Sequence, residues 1–162
     1  NLVQVYDPAD GFSLVREFSL GAGLNPQDIA FDTAGEAYIS CYDQAVLLRV
    51  DIATETILAS YSTADYADSD GLPETAWIRA VDDKLYVTCQ KLDRNNWYAP
   101  SGPGQLLVFD MATENFDTPI DLMGGDPYTQ IETLADGSGG VAPSPSARLN
   151  VNIVSGDRRL DF

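Results

Sequence analysis

The sequence predicts an all-β fold of repeated four-stranded antiparallel units, the architecture of a β-propeller. Three observations lead there. Short runs alternate apolar and polar residues, are rich in Val, Ile, Tyr and Thr, and are separated by Gly, Pro, Asp and Asn. No window sustains the period of about 3.6 residues that marks an amphipathic helix. The runs also recur. VYDPADGF (5–12), VDIATETI (50–57) and FDMATENF (109–116) each place an aspartate after an apolar stretch, then a small turn with Ala, then a further apolar residue.

Two more elements repeat in phase. EAYISCYD (36–43) superposes on KLYVTCQK (84–91), with Tyr38 over Tyr86 and Cys41 over Cys89. LNPQDIAF (24–31), LPETAWIRAV (72–81) and GDPYTQIETL (125–134) each set a proline ahead of a strand-like run. Four strands in roughly 40 to 50 residues is the content of one propeller blade.

The elements follow in order. Residues 1–22 supply the outer two strands of a partial blade, at 2–6 and 14–20. Residues 25–62 form a full blade with strands at 27–31, 36–42, 45–52 and 56–62. Residues 73–122 form a second, with strands at 76–81, 85–91, 105–111 and 116–122. Residues 126–162 open a further blade with a strand at 128–134, become irregular through GSGGVAPSPSA, and end in RLNVNIV and RRLDF. The alternating sites Ile29, Phe31, Ile39, Val50, Ile78, Val87, Leu107 and Phe109 are expected to fill the core between blades. About three and a half blades fall short of the roughly four to eight that close a ring. Either the chain is a fragment of a larger propeller, with seven-bladed rings among the candidates, or its tail closes a small ring. A half blade at each end favours the fragment. The open edges then require cover from remaining blades or a partner chain.

The repeat resembles the YVTN-type, or surface-layer-like, β-propeller proteins, on the strength of AYIS, KLYVT, LRVDIATETIL and LVFDMATENF. The resemblance spans residues 1 to 134. DGLPE…LYVTCQKLDRNN…AP further resembles a group of bacterial secreted or lipid-anchored propellers, mostly of unassigned function. This implies a propeller fold and an extracytoplasmic location: periplasm, outer surface or secreted. It brings no catalytic residue with it, because propellers host many unrelated activities.

Composition narrows the function. At 162 residues the chain fits one domain, and its apolar runs are too short for a membrane-spanning helix. No basic-then-apolar leader opens it. The net charge is -16, from 25 acidic and 9 basic residues, which opposes binding to nucleic acid or anionic lipid. Such acidity suits solubility or a salty or extracellular medium; it also attracts divalent cations. There is no histidine. That removes the commonest general base at neutral pH, the usual zinc ligand, and any Ser-His-Asp or Cys-His apparatus.

Two insertions into the repeat carry the candidate residues. LDRNNWYAPSGPG (92–104) replaces what is a simple turn in the first full blade, and long loops on repeat scaffolds mark working faces. Asp93, Arg94, Asn95, Trp97 and Tyr98 are its candidate binding residues. Trp97 and Tyr98 are large aromatics in a polar loop, the composition of a contact surface. The plainer alternative has Trp97 folded back over the blades as a lid, with Pro100 and Pro103 stiffening the return.

The second insertion, ADSDGLPE (67–74), joins the two full blades. Asp68, Asp70 and Glu74, with Asp65 nearby, offer oxygens of the kind calcium prefers; Asp93, Asn95 and Asn96 join if the insertions meet. The spacing does not match the helix-loop-helix calcium loop, and Asp and Gly also favour ordinary turns. Alternatively, Arg94 pairs in bidentate fashion with Asp70 or Glu74 and pins the two insertions together without metal. The balance leans narrowly to Arg94.

Cys41 and Cys89 occupy equivalent positions, so both side chains point the same way round the ring. They are expected to be buried free thiols rather than a disulfide. The leading functional reading is a non-enzymatic binding or scaffold module, with no assigned catalytic residue, no certain cofactor and a protein or other surface partner. Two alternatives stand beside it: a calcium-assisted propeller lyase or hydrolase, and a structural repeat completed by a partner chain.

Overall fold

The structure, a computed structural model, describes residues 1–133, together with paired backbone at 139–140, 152–153 and 160–161. It is all-β, and its paired strands run antiparallel. β1 (Leu2–Asp7) and β2 (Ser13–Ser19) form a hairpin. β3 (Pro26–Phe31), β4 (Ala37–Cys41), β5 (Val46–Asp51) and β6 (Thr56–Ser62) form a four-stranded sheet in sequence order. β7 (Thr75–Val81) and β8 (Lys84–Cys89) open a second sheet. The small ribbon β9 (Leu92–Asp93) and β10 (Ala99–Pro100) follows, and then β11 (Gln105–Asp110) continues that sheet. Its outer edge is split between β12 (Asn115–Phe116) and β13 (Ile120–Asp121), both on β11.

A single strand over 116–122 was expected, but Pro119, which has no N–H to give the ladder, lies in the break. Further on, β14 (Glu132–Thr133) pairs β15 (Gly139–Gly140), and β16 (Asn152–Ile153) pairs β17 (Leu160–Asp161). Of the strand expected over 128–134, the described residues 128–133 form only β14. The rest of the expectation for the tail lies outside the described residues. Among those described, no helix is long and apolar enough to cross a membrane.

The repeated aspartates are explained by the turns they build. Asp51 Oδ1 accepts from the amides of Ala53 (2.8 Å) and Thr54 (3.1 Å), and Asp110 Oδ1 from those of Ala112 and Thr113, both at 2.9 Å. Each turn then passes through a left-handed residue, Glu55 (φ 58°) or Glu114 (φ 54°). This side-chain-to-backbone bonding is what Asp contributes to a turn. A second device recurs at the start of each sheet. The Asp28 amide donates to Ser40 Oγ (3.2 Å) and the Trp77 amide to Thr88 Oγ1 (2.9 Å), both beside a register shift between the first two strands. A hydroxyl at this point of the second strand satisfies the amide that the bulge leaves without a ladder partner.

The prolines align less simply than the sequence suggests. Tyr42 N bonds to Asn25 O and Gln90 N to Glu74 O, so Glu74 is the counterpart of Asn25, and Pro26 corresponds to Thr75 rather than to Pro73. Asn25 (φ 49°) and Glu74 (φ 46°) are both left-handed. The backbone turn into the inner strand, not the proline, is the repeated feature.

The elements pack as successive layers: hairpin, first sheet, second sheet, then the segment leading to residue 131. Phe18 and Leu20 of the hairpin region meet Ala37, Ile39, Cys41, Leu48 and Val50. On the opposite face, Ala30, Tyr38 and Leu47 meet Ile78, Leu85, Val87, Cys89, Leu107 and Phe109. Beyond the second sheet, Leu106 packs with Leu122 and Ile131, flanked by Trp77 and Tyr86. Equivalent residues therefore face equivalent directions: Tyr38 and Tyr86 forward, Cys41 and Cys89 back. Of the expected core, Ile39, Val50, Ile78, Val87, Leu107 and Phe109 are buried. Ile29 and Phe31 are not; they are 38% and 51% exposed. The preceding layer is only a two-stranded hairpin packed on β4 and β5, so nothing among the described residues covers this face of β3.

Both cysteines are free and buried, and burial pushes their thiols up to about 11 for Cys41 and about 12 for Cys89. The thiolate is the reactive form. Native protein is therefore expected to resist a thiol reagent at pH 8 and to take up two equivalents once denatured. Absence of labelling in the denatured protein would overturn the free-thiol assignment.

Candidate functional site

The two insertions do meet, and Arg94 is where they join. The connection between the sheets begins with a 3₁₀ turn at Ala64–Tyr66, then folds through Asx turns. Asp68 Oδ1 accepts from the Asp70 amide, and Asp70 Oδ1 from the Leu72 amide, each at 3.0 Å. Gly71 (φ 89°) supplies the left-handed step between them. The insertion in the second sheet is a miniature hairpin: β9 and β10 pair, with a 3₁₀ turn at Arg94–Asn96 capped by Asp93, whose Oδ1 accepts from the Asn95 amide at 2.9 Å. Trp97 (φ 56°) and Tyr98 (φ 57°) follow, both left-handed. Consecutive bulky residues in that region are uncommon and strained. The conformation is held by the Tyr98 amide donating to Asp93 O (2.9 Å).

Arg94 ties its own loop to two other segments. Its Nε donates to Glu74 Oε1 (2.9 Å), its Nη1 lies 2.8 Å from Asp43 Oδ1, and its Nη2 donates to the carbonyl of Tyr42 (2.8 Å). Its own amide donates to Asp70 Oδ2 (2.9 Å). The guanidinium also lies against the rings of Tyr42 and Tyr98, 5.1 Å and 5.9 Å from their centroids, within cation–π range. The pair with Glu74 is thus made through one nitrogen, not the bidentate fork that the sequence suggested. The other donors of the fork reach back to the β4–β5 turn of the preceding sheet.

Glu74 is the anchor beneath. Its side chain is fully buried, and Oε2 accepts from the Leu92 amide at 3.1 Å. Burial raises its carboxyl above the ordinary glutamate value, opposed by the hydrogen bonds from Arg94 and Leu92. Asp68, Asp70 and Glu74 bring one oxygen each to within 4.8 Å of one another. Protein amides and Arg94 already engage five of these six oxygens; Asp68 Oδ2 is buried without a hydrogen-bond partner. Asp65, exposed on its 3₁₀ turn, and Asp93 do not join this trio.

The aromatics divide. Tyr98 is 52% exposed and leans on Arg94, whereas Trp97 is 95% exposed. Trp97 is not a lid. The strained turn points it outward, and the return strand instead docks through Gly104 and Gly125. An added Cβ at Gly104 would lie 2.5 Å from Pro127, and one at Gly125 would lie 2.7 Å from Pro100. Tyr42 and Asp43 were missed by sequence reasoning. They are an ordinary strand exit in the repeat, and only the stacking of the sheets brings them to Arg94.

Taken together, the site is a braced, acidic end of the molecule with two presented aromatics. The chain matches no protein-family model and no curated protein.

Proposed function

We propose that the chain is a non-enzymatic binding module of an exported bacterial protein, built from blades of a YVTN-type β-propeller. Its contact face is the paired insertions at 65–74 and 92–104. The stacked four-stranded sheets, with turns and bulges repeated in place, support the blade reading. One observation carries the binding reading: Trp97 is 95% exposed on a loop whose base is fixed by Arg94 and Glu74. A large aromatic presented to water has little to offer folding, but it is the kind of anchor that dominates interfaces. Asp93 on the same loop and the net charge of -16 make a basic peptide segment the partner class that complements it.

The test is a titration with a tryptophan-free arginine-rich peptide, followed by protein fluorescence at several salt concentrations. Replacing Trp97 and Tyr98 with alanine is expected to weaken binding about tenfold, in line with loss of an interface hot spot. Trp97→Ala alone, at a side chain that is 95% exposed, should leave the melting temperature unchanged. Because the double substitution leaves the charge untouched, equal affinity for both proteins would reduce the interaction to bulk electrostatics and end the proposal.

A calcium-assisted lyase or hydrolase is the second reading, favoured by the convergence of Asp68, Asp70 and Glu74. It ranks second because those carboxylates already have protein partners.

A further inference from the structure

β3 and β7 are edge strands of successive sheets and lie side by side. Along those edges, bordered also by residues 130 and 131, runs a cavity of about 190 Å³. Among the described residues it is lined by three consecutive pairs: Asp28 and Ile29, Ile78 and Arg79, Gln130 and Ile131. Neighbours in a strand point to opposite faces, so both line a cavity only where it follows an edge. None of the six belongs to the insertions at 65–74 and 92–104, so this cavity is separate from the contact face proposed above.

Two of the pairs carry a charge, and the repeat requires neither. The amides of Asp28 and Trp77 donate to Ser40 and Thr88, so Trp77 is the counterpart of Asp28. Ala30 lies opposite Tyr38 as Arg79 lies opposite Tyr86, so Ala30 is the counterpart of Arg79. Ala30 is buried, whereas Arg79 is exposed. The first strand of a sheet therefore forms in this fold without either charge. Asp28 is held in place, because Oδ1 accepts from the Ile29 amide (2.9 Å) and Oδ2 from the Ile78 amide (3.1 Å). Each carboxylate oxygen can accept a second hydrogen bond.

We propose that this cavity binds a small aliphatic α-amino acid as its zwitterion. Asp28 receives the ammonium, Arg79 the carboxylate, and the isoleucines the side chain. A ligand with one charge alone would meet a like charge from the cavity wall, whereas a zwitterion satisfies both. The guanidinium fork suits a carboxylate, which it takes through two parallel N–H bonds. The side chains of Ile29, Ile78 and Ile131 offer no hydrogen bond, so the part of the ligand against them is apolar. The volume equals roughly six waters at about 30 Å³ each, room for a short side chain and below the roughly 300 to 1,000 Å³ of sites for drug-sized ligands. The peptide reading of the insertion face uses other residues, so failure of either leaves the other standing.

L-Valine is the probe, titrated against the protein with saturation-transfer NMR as the readout. Two isosteres run beside it: isobutylamine, which lacks the carboxylate, and isovalerate, which lacks the ammonium. Valine is expected to bind at millimolar concentration or below, and each isostere about tenfold more weakly, the loss of one charge-assisted contact. Arg79→Gln should weaken valine to the level of isobutylamine and leave isobutylamine itself unchanged. Asp28→Asn should weaken valine to the level of isovalerate. Arg79 is exposed, so its variant tests the site even if Asp28→Asn, which also disturbs the bond to the Ile78 amide, unfolds the protein. No saturation transfer to valine, an isostere that binds as tightly as valine, or unchanged affinity in Arg79→Gln would each overturn the proposal.

Discussion

Replacing Arg94 with alanine is expected to lower stability by about 3 kcal/mol. Removing one partner of a buried ion pair costs roughly 3 to 5 kcal/mol, because the other charge stays buried and unpaired. The lower end applies since the guanidinium is 24% exposed while Glu74 is fully enclosed. The substitution also frees Asp43, leaves the Tyr42 carbonyl without its donor and removes the cation from between two tyrosine rings.

The effect should depend on pH in a set direction. Because burial raises the folded-state value of Glu74, its contribution is most favourable below the ordinary glutamate value near 4.5 and declines as pH rises through the raised value. Without Arg94 to oppose burial, that decline steepens. The gap between the two proteins in urea titrations should therefore be smaller at pH 4 than at pH 7. A gap that is constant with pH would mean that Arg94 acts through packing alone. Calcium bears on the same site: with five carboxylate oxygens already bonded, the parent protein should melt at the same temperature with calcium or chelator. In the Arg94→Ala protein, calcium should restore part of the loss.

Phe109→Ala should cost about 4 kcal/mol, in the range for truncating a buried aromatic. Phe109 is 0% exposed, and its ring lies 4.6 Å from that of Tyr61, 5.0 Å from Phe116 and 6.0 Å from Tyr38. Two of those partners belong to the first sheet and one to the second. The cavity would open at the seam between layers rather than inside one sheet. Unfolding followed by tryptophan fluorescence, which reports on Trp77 of the second sheet, and by far-ultraviolet dichroism, which reports on all strands, should shift together. A loss below about 1 kcal/mol, or separation of the two probes, would show that the layers do not share one core.

Much of the local architecture was legible in the chain. The alternating runs located most of the strands to within a residue or two, since a half-buried strand leaves its period in the sequence whatever it packs against. The recurring Asp was legible because it bonds to backbone close by, whereas the matching Ser40 and Thr88 showed their role only in the bulges they complete. Alternation could not say which apolar strand residues find a neighbour. Ile29 and Phe31 follow the same pattern as Ile78 and Ala80, and they differ only in what the preceding layer supplies. The proline alignment failed because the left-handed entry residue, not proline, is the conserved geometry between the sheets.

For the site, the sequence by itself determined that two insertions interrupt the repeat and that they could be joined by Arg94 with Asp70 or Glu74, or by a cation held on the carboxylates. Those are consequences of residue type and spacing. Only the tertiary structure decided that Arg94 spends one nitrogen on Glu74 and the rest on Tyr42 and Asp43, and that Trp97 faces water. Both outcomes depend on how two sheets stack and on a pair of left-handed backbone angles. Such long-range and conformational choices leave no periodic trace in the order of the residues.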